Sequence, residues 1–69
     1  MTGSVYKLIE LTGTSSSSIE EAVQNALSKA GESVRQMRWF QVVETRGTVE
    51  NGRVGEWQVT IKLGFKIEE

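Results

Sequence analysis

Trp39 and Gln58 are the two side chains whose types best suit recognition of a flat heterocycle, and they lie 19 residues apart in a chain of 69. An indole offers a flat, electron-rich surface for stacking on a planar ligand, and a glutamine amide offers both a donor and an acceptor to a heterocycle edge. Little else in the chain offers chemistry. It contains no histidine and no cysteine, so the usual groups for general acid–base catalysis, thiol catalysis and structural zinc are missing. Ser15 to Ser18 have no partner base. Glu10, Glu44 and Glu56 fall in strand-like segments that nothing places as a working pair, and solvated or ion-paired surface is the default for such carboxylates. There is no glycine-rich phosphate loop of the Walker or Rossmann pattern. Binding therefore leads catalysis, and the chain is not read as an enzyme.

The elements that must position the two side chains are a pair of long strands. Arg38 to Glu44 and Trp57 to Ile61 alternate apolar and polar residues and are rich in β-branched and aromatic types. Between them stands Glu50-Asn51-Gly52-Arg53, in which Asn-Gly is the strongest short hairpin signal because both turn positions need positive φ. With Asn51 and Gly52 as the loop, Phe40 faces Leu63, Val42 faces Ile61, Glu44 faces Val59 and Arg46 faces Trp57 on a largely apolar side. The other side pairs Trp39 with Gly64, Gln41 with Lys62, Val43 with Thr60 and Thr45 with Gln58. A large indole on the polar side, opposite a residue that adds no bulk, is either a stacking platform or the cover of an oligomer contact. Trp39 and Gln58 share that side but lie several pair positions apart, so residues of different subunits would have to converge on one ligand. A one-residue slip would exchange the two faces.

Upstream, residues 5–11 read as a first strand, with Val5, Ile9 and Leu11 on one face and Tyr6 and Leu8 on the other. Thr12 to Ser18 break that pattern and lead into a helix, with Ser18 and Glu21 in the form of a capping box and Ser17 with Glu20 offering the same one register earlier. Ile19, Ala22, Val23, Ala26, Leu27 and Ala30 then form one apolar stripe whose alanines allow close approach to a sheet. Gly31 is placed for the left-handed position after the helix, with Lys29 near the negative end of the helix dipole. The hairpin strands run from about Val34 to Val49 and from about Arg53 to Ile67. The order is β-α-β-β, an α+β fold with a three-stranded antiparallel sheet partly wrapped around one helix.

A single domain spanning residues 1–69 is expected, with no internal repeat or linker. A chain this short buries only about 60% of the surface its unfolded form exposes, and without disulfides or zinc the common remedy is self-association. The net charge of −1 with scattered Lys and Arg argues against nucleic acid as a partner. No stretch has the length or apolarity of a membrane span, and no secretory signal is evident, so a cytoplasmic location is the default.

The whole chain resembles the dodecins, small flavin-binding proteins that form hollow twelve-subunit shells. The resemblance is carried by Val5-Tyr6-Lys7 and Glu10-Leu11, Thr14-Ser15 with the alanine-striped helix, Arg38-Trp39-Phe40 followed by Val42, Arg46-Gly47 before the turn, and Gln58-Val59 with Gly64-Phe65. It implies a homododecamer in which two flavins stack between the Trp39 side chains of two subunits while Gln58 hydrogen-bonds the pyrimidine edge of the isoalloxazine. Arg46 and Lys66 are similar to basic residues used toward the flavin phosphate, which favours FMN over riboflavin, although lysine lacks the bidentate geometry of arginine. Lys7, Lys29 and Arg35 match positions that some relatives use toward coenzyme A. Trp57, where tyrosine is frequent, reads as core packing. The expectation is a flavin store that quenches flavin photochemistry. The competing expectations are a structural oligomer, or a shell for coenzyme A or another nucleotide, without flavin function, and a small flavoenzyme, which the lack of an acid or base near Trp39 disfavours.

Overall fold

The computed structural model describes residues 3–67 and follows the β-α-β-β order. β1 is Tyr6–Ser15, α1 is Ile19–Ala30, β2 is Met37–Glu50 and β3 is Arg53–Lys66. The sheet is antiparallel in the order β1-β3-β2, so the last strand lies in the centre. That position explains the strict apolar alternation of β3, whose Val59, Ile61 and Leu63 are its fully buried side chains. Val59 and Ile61 meet the helix stripe at Ala22, Val23 and Ala26, with Leu11 and Leu27 packed at the margin.

β1 is longer than its sequence pattern indicates. Thr12-Gly13-Thr14-Ser15 continues the strand in register with β3, Gly13 opposite Val59 and Ser15 opposite Trp57. Gly13 is needed there because α1 lies directly on the strand: a Cβ at residue 13 would overlap the Ala22 carbonyl oxygen and come within 2.9 Å of the Ala26 Cβ. The stretch resembles a loop in composition because it is made of small residues, and they are small because two backbones meet.

Ser18 is the helix N-cap, its hydroxyl accepting from the Glu21 amide at 3.0 Å. The Glu21 carboxylate does not return to the Ser18 amide as a full capping box would. Instead the buried Ser15 hydroxyl accepts from the amides of Ser17 and Ser18, at 2.9 and 3.3 Å, and donates to the Glu21 carboxylate. One serine at the end of β1 therefore ties strand, turn and helix together.

Past the helix, Gly31 is right-handed (φ −64°, ψ −13°), contrary to the left-handed conformation expected of it. The Val34 amide bonds the Ala30 carbonyl at 2.8 Å, so the chain keeps a right-handed turn and reverses later, at Gln36, with φ 64°. β2 accordingly starts at Met37 and not near Val34. At the hairpin tip Asn51 and Gly52 adopt positive φ, 54° and 75°, and Glu50 pairs with Arg53 as the Asn-Gly signal requires.

A helix of 12 residues is about 18 Å long, whereas the described chain extends 56 Å by 20 Å. α1 therefore covers β1 and β3 at one end only. The helix-side face of β2 is open, with Phe40 46% and Val42 44% exposed, and they border a groove of about 540 Å³ with Ile19, Val23 and Leu27 of the helix. Such apolar surface on so small a chain is what self-association would bury.

The fit of α1 on β1 predicts that Gly13→Val destabilises the protein by about 1–3 kcal/mol, the range for overpacking a close contact. Chemical denaturation followed by far-ultraviolet circular dichroism measures it, and wild-type stability in the variant would contradict this packing.

Candidate functional site

Trp39 lies where the Asn-Gly register puts it, opposite Gly64 on the sheet face away from the helix. Its indole lies across the Gly64 backbone, so closely that a Cβ at residue 64 would fall inside the ring's contact distance, 2.8 Å from Cδ2. Glycine at this point lets the ring lie down on the sheet. Tyr6, in β1 opposite Lys66, meets the indole edge-on, with centroids 5.0 Å apart and planes at 61°. The residue remains 43% exposed. The result is a supported aromatic surface held from below by a strand and from one side by a second ring. The Tyr6 contact is absent from the sequence reading because it joins β1 to β2 across the central strand, a proximity that no local pattern encodes.

From Trp39 to Val42 the hairpin pairs as the two-residue turn dictates, but beyond Val42 it does not. An extra residue at Val43 shifts the partners by one, so Glu44 faces Thr60, Thr45 faces Val59, Arg46 faces Gln58 and Gly47 faces Trp57. A compensating irregularity between Gly47 and Val49 restores the turn register at Val49 and Val54. Four expected pairs are thereby corrected: Val43–Thr60, Glu44–Val59, Thr45–Gln58 and Arg46–Trp57. The Thr48 hydroxyl accepts the Glu56 amide at 2.9 Å, satisfying an N–H at the second irregularity. Adjacent Val42 and Val43, and a glycine at 55 inside a strand, are the signals that could have revealed both bulges.

The shift changes what Arg46 can do. It leaves the apolar side and joins Gln58, donating from Nε to Gln58 Oε1 at 2.7 Å. The Gln58 Nε2 donates to Glu56 Oε2 at 3.2 Å, and Arg46 Nη1 lies 3.5 Å from Glu44 Oε1. Donor and acceptor types fix the sense of this row. Arginine can only donate and so must meet the amide oxygen, whereas an ionised glutamate can only accept and so must meet the amide nitrogen. One N–H and one lone pair of the Gln58 amide are left for a ligand.

Trp39 and this polar row do not form one site within a chain. Gln58 lies six residues along β3 from Gly64, the partner of Trp39, a separation of about 20 Å. Lys66, two residues beyond Gly64, belongs to the indole's end of the sheet. At that end Lys7, Arg35 and Lys66 line a groove of about 490 Å³ together with Ser33 and Gln36. Lys29 is not part of it; its ammonium pairs with Glu32 at 3.4 Å after the helix. Trp57, on the helix side beside Ser15 and Gly47, is half-buried at the margin of the core.

The chain is similar to known proteins over nearly its whole length. The Dodecin family model matches residues 5–68. The chain is 46% identical over 67 residues to the dodecin of Thermus thermophilus, covering 97% of each. It is 33% identical over 64 residues to the calcium dodecin of Mycobacterium tuberculosis, covering 93% of this chain and 90% of that one. Among solved structures, dodecin from Streptomyces coelicolor superposes with a TM-score of 0.93 at 42% identity, over 100% of this chain and 99% of that one.

The contact between Trp39 and Gly64 predicts that Gly64→Val lifts the indole off the sheet and separates it from Tyr6. Loss of near-ultraviolet circular dichroism bands, with the far-ultraviolet spectrum kept, is the expected result; bands identical to wild type would contradict it.

Proposed function

We propose that the chain, which belongs to the dodecin family, binds flavin, with FMN preferred, and holds it in store without turning it over. The observation that carries this reading is the Trp39 indole lying over Gly64 and partly open on the sheet face away from the helix. An isoalloxazine stacked on that surface would be paired with a second one at a contact between subunits, the two rings held between two copies of Trp39. A neighbouring chain's Gln58 would meet the pyrimidine edge with its remaining N–H and lone pair, which overcomes the separation of the two residues within one chain. Arg46, on the same face as Gln58, and Lys66, at the indole's end, supply positive charge for a phosphate.

Stacking on an indole also gives the excited flavin an electron donor at contact distance, so storage and protection against photochemistry come from one geometry. Self-assembly into a twelve-subunit shell would supply the neighbouring chains, and the open apolar face of β2 supports such an assembly. The groove of Lys7, Arg35 and Lys66 has the charge for a diphosphate such as that of coenzyme A, with Lys29 outside it. The Mycobacterium tuberculosis relative is named for calcium; among the described residues of this chain, no group of three or more His, Cys, Asp or Glu is placed to hold a metal. Among those residues no helix is long and apolar enough to cross a membrane.

Titrating ligand-free, refolded protein into FMN tests the proposal. The expected result is strong quenching of flavin fluorescence that saturates near one flavin per chain. Trp39→Ala should weaken binding by about 10- to 100-fold, the scale of one aromatic stacking contact, while the assembly persists in size-exclusion chromatography. No quenching by an assembled wild-type protein, or wild-type affinity in Trp39→Ala, would overturn the flavin reading and leave the structural oligomer.

A further inference from the structure

Resting on the flavin reading, we infer that Glu44 sets the balance between phosphorylated and unphosphorylated flavin by competing with the phosphate for Arg46. A guanidinium binds a phosphate best through two parallel N–H groups, and it has two planar edges for this: Nε with one terminal nitrogen, or the two terminal nitrogens together. In this chain Nε is committed to Gln58 at 2.7 Å. The edge left is the one made by Nη1 and Nη2, and the Glu44 carboxylate stands 3.5 Å from Nη1. A phosphate reaching Arg46 must therefore share or displace Glu44. Riboflavin, which has no phosphate, faces no such competition.

The charges nearby point the same way. Arg46 is the single cation of the row, with Glu44 on one side and, through Gln58, Glu56 on the other, so the four side chains together carry net −1. A phosphate dianion would be drawn to the guanidinium against that background. Glu44 enters the strand face only because Val43 is bulged: both Glu44 and Arg46 are placed on the outer face by the same one-residue shift. The shift thus delivers the phosphate-binding cation and its competitor together. Glu44 acts through Arg46, the side chain it pairs with.

Glu44→Gln removes the competing charge with little change in shape. The ratio of FMN to riboflavin affinity, measured by fluorescence quenching in parallel titrations, is expected to rise about two- to fivefold, the scale of an exposed ion pair. Using a ratio cancels any general loss of folding or assembly. In an Arg46→Gln background the same substitution should leave the ratio within experimental error, because the guanidinium being contested is gone. An unchanged or lowered ratio in Glu44→Gln, with both flavins still bound, would overturn this inference and leave the flavin reading standing. An equal rise in both backgrounds would also overturn it, since Glu44 would then repel the phosphate directly. If neither flavin binds wild-type protein, the flavin reading and the inference fall together.

Discussion

One short helix must serve a hairpin about three times its length, and much of the structure follows from that disproportion. α1 can bury Val59, Ile61 and Leu63 of the central strand, and it does so closely enough to require glycine at residue 13. It cannot also reach β2, whose Phe40, Val42 and Val43 are left exposed, nor the outer face with Tyr6, Leu8 and Trp39. The described residues offer nothing else with which to cover such a surface, and homo-oligomeric assembly is what membership of the dodecin family implies. The same disproportion leaves the indole accessible: Trp39 sits on the face that no element of its own chain covers.

The bulges then decide which side chains can act together. A regular two-stranded ribbon would send Arg46 toward the helix side, where a guanidinium would have met Trp57. One extra residue at Val43 turns the segment from Glu44 to Gly47 over, and the second irregularity near Thr48 turns it back before the hairpin tip. Only because that segment is reversed do Glu44 and Arg46 join Gln58 and Glu56 of β3 in one polar row. Its hydrogen bonds have a fixed sense because Arg46 can only donate and Glu56 can only accept, so the Gln58 amide between them is held in one orientation.

Local rules made part of this legible in the sequence. Asn51-Gly52 fixed the turn, and with it the pairing of Trp39 with Gly64 and the face of the indole. The helix stripe from Ile19 to Ala30 was readable because its period is local, and Ser18 as N-cap because its partner Glu21 is three residues away. What escaped depends on contacts distant in the chain. Gly13 and its small neighbours looked like a loop, although they are the floor on which α1 rests. Gly31 looked like a left-handed cap, but the chain continues its turn to Val34 and reverses at Gln36, whose carbonyl takes the Lys66 amide at 3.0 Å. The bulge at Val43 was hidden because the regular alternation of β3 suggests an equally regular partner. With it were hidden the contacts that join Arg46 to Gln58 and Glu44; the part expected of Arg46 came from the family resemblance alone. The edge contact of Tyr6 on Trp39 spans three strands and has no local trace.

Native mass spectrometry of the protein refolded with FMN tests the central claim most directly, because that claim is that one chain holds only parts of a site. The account predicts that flavin appears only on assembled species, at one FMN per 7.7 kDa chain, on a closed assembly of twelve chains, with no flavin on the monomer. A folded monomer carrying one FMN would contradict it, since Trp39 and the polar row of a single chain would then have sufficed.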